Sequence, residues 1–176
     1  MRTIHAALLS LALAACGQAA APGAADAQPA QAAGELSAAD RTALLQALDM
    51  RANAAGQVEN ACGERVTPQI VRADLGQAVG EAHLVVIPGG PNIATCYGDG
   101  PGALILMRRE GAGFRQIYMN QGGFFAVLPR ETNHAREIVH AGPGFQHPVF
   151  VWNGAEYTPA RRSVPDAQMS DATILP

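Results

Sequence analysis

The chain has 176 residues, with 12 arginines and no lysine, 15 acidic side chains and a formal net charge of −3. That mildly acidic balance argues against a nucleic-acid interface or a patch for anionic membranes. Setting aside the first 36 residues, the length suits one domain.

The chain begins MRTIHAALLSLALAACGQ. Arg2 precedes an almost wholly apolar run from Ile4 to Ala15, the length of a signal-peptide core (about 7–15 residues) and short of the roughly 20 that span a bilayer. Leu13, Ala14, Ala15 and Cys16 resemble the lipobox of bacterial lipoproteins. The resemblance implies a signal peptide over 1–15, cleavage before Cys16, diacylation of its thiol and acylation of the new amine. Two or three acyl chains on one residue exceed a marginal single-chain anchor. Gly17 stands where an aspartate would retain such a protein at the inner membrane, so the resemblance implies the outer membrane, facing the periplasm. Residues 16–36 are then the lipidated cysteine and a tether of Ala, Gly, Pro and Gln interrupted by Pro22 and Pro29. A flexible tether of that length spans roughly 25 Å root-mean-square.

Ser37 and Asp40 form a capping box in its acidic form, and Leu44, Leu45, Leu48 and Ala52 keep helical spacing up to a stop at Gly56. This predicts one amphipathic helix over 37–55, with a stripe narrow enough to lie on a sheet. From Arg65 the pattern changes to β-branched and apolar runs: RVTPQIVRADL, EAHLVVIP, ALILMRRE, FRQIYMN, FFAVLP, AREIVHA and HPVFVW. Gly111-Ala112-Gly113 reads as a hairpin turn. In VFVWNGAEYT, Asn153-Gly154 suits a two-residue type I′ turn pairing Trp152 with Ala155 and Phe150 with Tyr157. Phe150, Trp152, Ala155 and Tyr157 then share one face. Residues 161–176 have no period and read as an irregular tail. The expected fold is mainly β: a small antiparallel sheet domain over 37–160, sandwich or partly open barrel, with one N-terminal helix and a disulfide.

With Cys16 lipidated, Cys62 and Cys96 remain, and in an oxidising periplasm such a pair is normally a disulfide. Closing a loop of about 35 residues stabilises by roughly 3–4 kcal/mol on the chain-entropy estimate. Neither cysteine has the close partner a zinc site uses. The loop ATCYGDGPGALIL lacks the Gly-Lys-Ser/Thr ending of a phosphate cradle, Pro101 removes an amide, and Asp99 is its single acid, so it reads as a turn feeding a strand from Ala103. No serine lies in the β region, which argues against a Ser-His-Asp hydrolase. Glu81 and His83 alternate onto one strand face, and His140 and His147 flank AGPGFQ. The aromatic ribbon has two readings, packing in the core or stacking a ligand. On the second, a ligand or partner surface gathers Phe150, Trp152, Tyr157, Tyr97, Asp99, Phe145 and His147. No metal or cofactor is expected.

The segments VRADLGQAVGEAHLVVIPG, CYGDGPGALILMRREGAGFRQI and VFVWNGAEY, from about Val71 to Tyr157, resemble a set of small bacterial envelope proteins. The first is similar to the repeat unit of FG-GAP/VCBS β-propeller blades. Asp74, Gly76 and Gly80 fit that unit, while Gln77 and Ala78 replace its middle acids, so calcium is not implied. No internal repeat exists, which excludes a full propeller. The resulting expectation is an outer-membrane-anchored periplasmic lipoprotein acting as a non-catalytic binding or inhibitor-like module for an envelope protein or a glycan such as peptidoglycan. The alternatives are a carboxylate-dependent envelope hydrolase and a metal-handling protein using His83, His140 or His147.

Overall fold

Residues 81–88, EAHLVVIP, are buried from Ala82 to Ile87 in one unbroken run, which marks a strand covered on both faces. The computed structural model describes residues 35–92, 97, 102–142 and 146–176, and shows what covers them. Strands β1 (Val58–Glu59) and β2 (Arg65–Val66) form a short ribbon after helix α1 (Ala38–Gln46). Strands β3 (Gln69–Asp74), β4 (Glu81–Pro88), β5 (Gly102–Glu110) and β6 (Gly113–Gln121) form an antiparallel four-stranded meander. A second antiparallel sheet has the order β10-β9-β8-β7-β11, from β7 (Phe124–Thr132), β8 (Ala135–Ala141), β9 (Gln146–Trp152), β10 (Tyr157–Pro165) and β11 (Thr173–Leu175). The fold is mainly β, and the described strands do not close into a barrel.

Side-chain alternation divides β4 and β5 between two cores. Ala82, Leu84, Val86, Leu104 and Leu106 face the second sheet, where Phe125, Val127, Ile138, Trp152 and Tyr157 meet them. Val85, Ile87, Ala103, Ile105 and Met107 face the opposite way, under Leu44 and Leu45 of α1 and Val58 and Val66 of the ribbon. The outer face of the second sheet is covered in part by the chain's last turn, with Met169 and Ala172 over Val139, Val149 and Val164. The meander is therefore the middle layer. At one end of the sandwich the β3–β4 loop clamps the β7–β8 turn: Ala78 N–H donates to the His134 carbonyl at 3.1 Å and Arg136 N–H to that of Leu75 at 2.8 Å. The chain crosses between sheets through Gly122 and Gly123, both at positive φ (73° and 65°), which glycine adopts without a Cβ penalty.

Three expectations are corrected. The helix ends at Gln46, not near residue 55. Asp49 adopts φ 56°, its N–H donates to the Gln46 carbonyl and Met50 N–H to that of Leu45, the paired bonds of a Schellman stop. Stopping there tucks Met50 against the core beneath α1. The hairpin after Trp152 has a four-residue loop, and Trp152 faces Tyr157. The Asn153 Oδ1 accepts from the amides of both Ala155 and Glu156, an Asx-type closure that replaces the two-residue turn. The register differs from the expected one by two residues, an even number, so Phe150, Trp152 and Tyr157 keep their common face. Residues 161–176 are not irregular throughout: β10 continues through a bulge to Pro165, and β11 pairs with β7. The arginine pair in the bulge, with Arg161 at φ 55°, hides the alternation.

Candidate functional site

Outward-facing positions at one end of the meander carry charge. Glu81 and His83 project from β4, Arg109 follows Ile105 and Met107 on β5, and Phe114 faces Arg109 from β6. The first turn of α1 comes down beside them. Its entry is set by Ser37, whose Oγ accepts from Asp40 N–H at 2.9 Å and donates to Asp40 Oδ2 at 2.8 Å. Arg41 Nη2 ties the same turn to the Pro68 carbonyl at 2.9 Å, just before β3.

Arg109 joins helix to sheet. Its Nη1 lies 2.9 Å from Asp40 Oδ1 and its Nε 2.9 Å from Glu81 Oε2. Its guanidinium carbon stands 4.6 Å from the centroid of the Phe114 ring, a cation–π distance. His83 Nε2 takes the remaining Glu81 oxygen at 3.1 Å, and its ring meets Phe114 edge-on at 6.0 Å between centroids. His83 is buried, with 4% of its side chain exposed, while the three ionic groups keep part of their surface in water. Hydrogen bonds from Arg109 and Ser37 hold the Asp40 carboxyl below its ordinary range. Burial pushes the Glu81 carboxyl upward, and the bonds from His83 and Arg109 overcome it, leaving it lowered. The bonds to Asp40 and Glu81 in turn raise Arg109. The set borders a cleft of about 190 Å³ whose rim includes Glu35 and Arg72.

This arrangement presents fixed charges. A glycosidase needs one carboxyl raised enough to donate a proton. The carboxyls of Asp40 and Glu81 are instead displaced downward. The histidines occupy separate places. His147 is buried and bonded to Asp166 at 2.5 Å, and His140 lies opposite Phe125 with burial lowering its pKa. Among the described residues no three His, Cys, Asp or Glu side chains gather at metal-holding geometry.

The expected aromatic surface is corrected. Trp152 and Tyr157 are 3% and 5% exposed and belong to the core between the sheets. Half-buried Phe150 packs there too, 5.0 Å from the Tyr118 ring. They point inward because that face of β9 and β10 is the one the meander covers. Tyr97 is buried, its hydroxyl accepting from Ala61 N–H at 3.2 Å, and His147 lies beneath the last turn. Cys16, Cys96, Asp99 and Phe145 lie outside the described residues. The sequence reading paired Glu81 with His83 and gave Asp40 a capping role, but it missed Arg109 and Arg72. The available signal was the doublet Arg108-Arg109 ending an apolar strand, which sends one arginine to each face. Arg108 indeed goes the other way, 5.6 Å over the Trp152 ring. Compared with family models, curated proteins and solved structures, the chain finds no match.

Proposed function

We propose that this chain is a periplasm-facing outer-membrane lipoprotein whose sandwich is a non-catalytic binding module for an envelope protein or peptidoglycan. The single observation that carries the binding reading is the charged cleft of Asp40, Glu81, His83 and Arg109, in which both carboxyls are held ionised. Fixed, preoriented charges recognise a partner and make poor proton donors. The anchor rests on the lipobox resemblance at Leu13, Ala14, Ala15 and Cys16, and on the Ala- and Pro-rich segment that follows. The Cys62–Cys96 bridge belongs to the same reading. The Tyr97 hydroxyl reaches Ala61 N–H at 3.2 Å, so the neighbours of these two cysteines touch.

Radioactive palmitate labels the full chain and not its Cys16→Ala variant if the anchor is right; an unlabelled native chain removes the localisation. Intact mass with and without reductant shows two hydrogens gained on reduction if Cys62 and Cys96 are bridged. Crosslinking in native envelopes followed by pull-down yields a saturable partner, or sacculi that retain the chain. If Arg109→Ala leaves that capture unchanged, the cleft is not the contact.

A further inference from the structure

The cleft beside α1 is small. At about 190 Å³ it lies below the ~300–1,000 Å³ of ordinary small-molecule pockets, room for a headgroup or an amino acid. Its floor groups are already bonded to one another. Arg109 serves both Asp40 and Glu81, Ser37 takes the second Asp40 oxygen and His83 the second Glu81 oxygen. Two rim side chains remain, exposed and opposite in charge. Glu35 and Arg72 both border the cleft, and neither has a hydrogen-bond or ion-pair partner among the described residues. Arg72 stands opposite His83 across the β3–β4 pairing, so its position is set by the sheet.

We propose that this cleft binds an α-amino-carboxylate group, its ammonium on Glu35 and its carboxylate on Arg72. The inference rests on the binding-module reading and names the ligand chemistry for it. A simple anion meets three carboxylates at the rim and floor, and a simple cation leaves Arg72 unmatched. The dipolar group satisfies both free charges at once. It also leaves the Ser37 cap on the α1 N-terminus undisturbed. With both partner side chains solvated, affinity is on the order of millimolar.

Titration calorimetry on the full purified chain at neutral pH tests this with alanine, alaninamide and N-acetylalanine, which carry both charges, the ammonium alone and the carboxylate alone. Alanine is expected to bind saturably, each blocked analogue about two- to fivefold more weakly. Arg72→Gln should reduce alanine to the level of alaninamide, and Glu35→Gln to that of N-acetylalanine, with unchanged melting temperatures because both side chains are exposed. γ-Glutamylalanine, which carries the same group at the end of a longer molecule, separates two sources: tighter binding than alanine indicates a group displayed on a larger ligand, equal or weaker binding a free amino acid. Absence of saturable alanine binding, equal binding of the blocked analogues, or alanine binding unaffected by both substitutions overturns the proposal. Envelope capture that survives Arg72→Gln and Glu35→Gln while alanine fails to bind defeats the ligand assignment and leaves the binding-module reading standing. Alanine binding without any captured partner does the reverse.

Discussion

Arg109 Nη1 lies 2.9 Å from Asp40 Oδ1, joining residues 69 apart in sequence and fastening the first turn of α1 to one end of the middle sheet. The same guanidinium holds Glu81 and covers Phe114. One side chain therefore closes the helix onto its sheet and shapes the cleft.

Replacing Arg109 with alanine removes this closure. The two ion pairs are partly exposed, so the expected loss at neutral pH is modest, a melting temperature lower by about 3 °C. The pH dependence is more diagnostic. Asp40 and Glu81 have folded-state pKa values below their ordinary 3.8 and 4.5, so the unfolded chain binds protons more readily than the folded one. Their stabilisation is present above about pH 4.5 and is lost as the pH falls through the lowered values. Thermal melts between pH 7 and 3 should show a shallower acid limb in Arg109→Ala than in the native chain. Parallel limbs would show that the clamp contributes nothing.

Gly102 enters β5 at φ 148°, and a Cβ there would sit 1.9 Å from the Ile87 carbonyl oxygen. Because that contact is with backbone, β4 and β5 must separate to admit it. Gly102→Ala should destabilise by roughly 2–4 kcal/mol, seen as a lower urea midpoint. An unchanged midpoint contradicts this close approach.

Asp49 adopts left-handed backbone (φ 56°) at the stop of α1, with its side chain exposed. Glycine fits that conformation without a Cβ clash. Asp49→Gly should stabilise by about 0.5–1 kcal/mol, offset in part by the greater freedom of glycine in the unfolded chain. Loss of stability instead would mean that the aspartate makes a contact of its own.

Trp152 is buried between Tyr157 and Arg108, with ring centroids 5.6 Å from Tyr157. Its fluorescence should be blue-shifted and resist iodide quenching. Trp152→Ala should cost about 3–5 kcal/mol, since it opens a cavity in the core shared by both sheets. Strong iodide quenching in the native chain would return this ring to the surface.

Local chemistry made much of the fold legible. The apolar run of β4, the Gly111-Ala112 turn between β5 and β6 and the Ser37–Asp40 cap depend on residues within a few positions of one another. The shared face of Phe150, Trp152 and Tyr157 survived an error in register because strand period is two. The loop at Asn153 was misread because its side chain offers the backbone amides an alternative to the type I′ turn, and the sequence does not reveal which closure is lower in energy. The C-terminal strand was missed because its partner, β7, is remote and its own three residues carry little pattern.

The candidate site divides in the same way. By itself the sequence determined that Glu81 and His83 share a strand face and that Asp40 stands in the first turn of a helix. Only the tertiary structure decided that Arg109 joins them, that Arg72 and Glu35 border the same cleft, and that the aromatic ribbon turns inward. Spacing along one strand or helix is set by backbone geometry that every residue obeys. Which face is covered, and which distant side chain meets it, depends on the packing of all layers together and is written in no single segment.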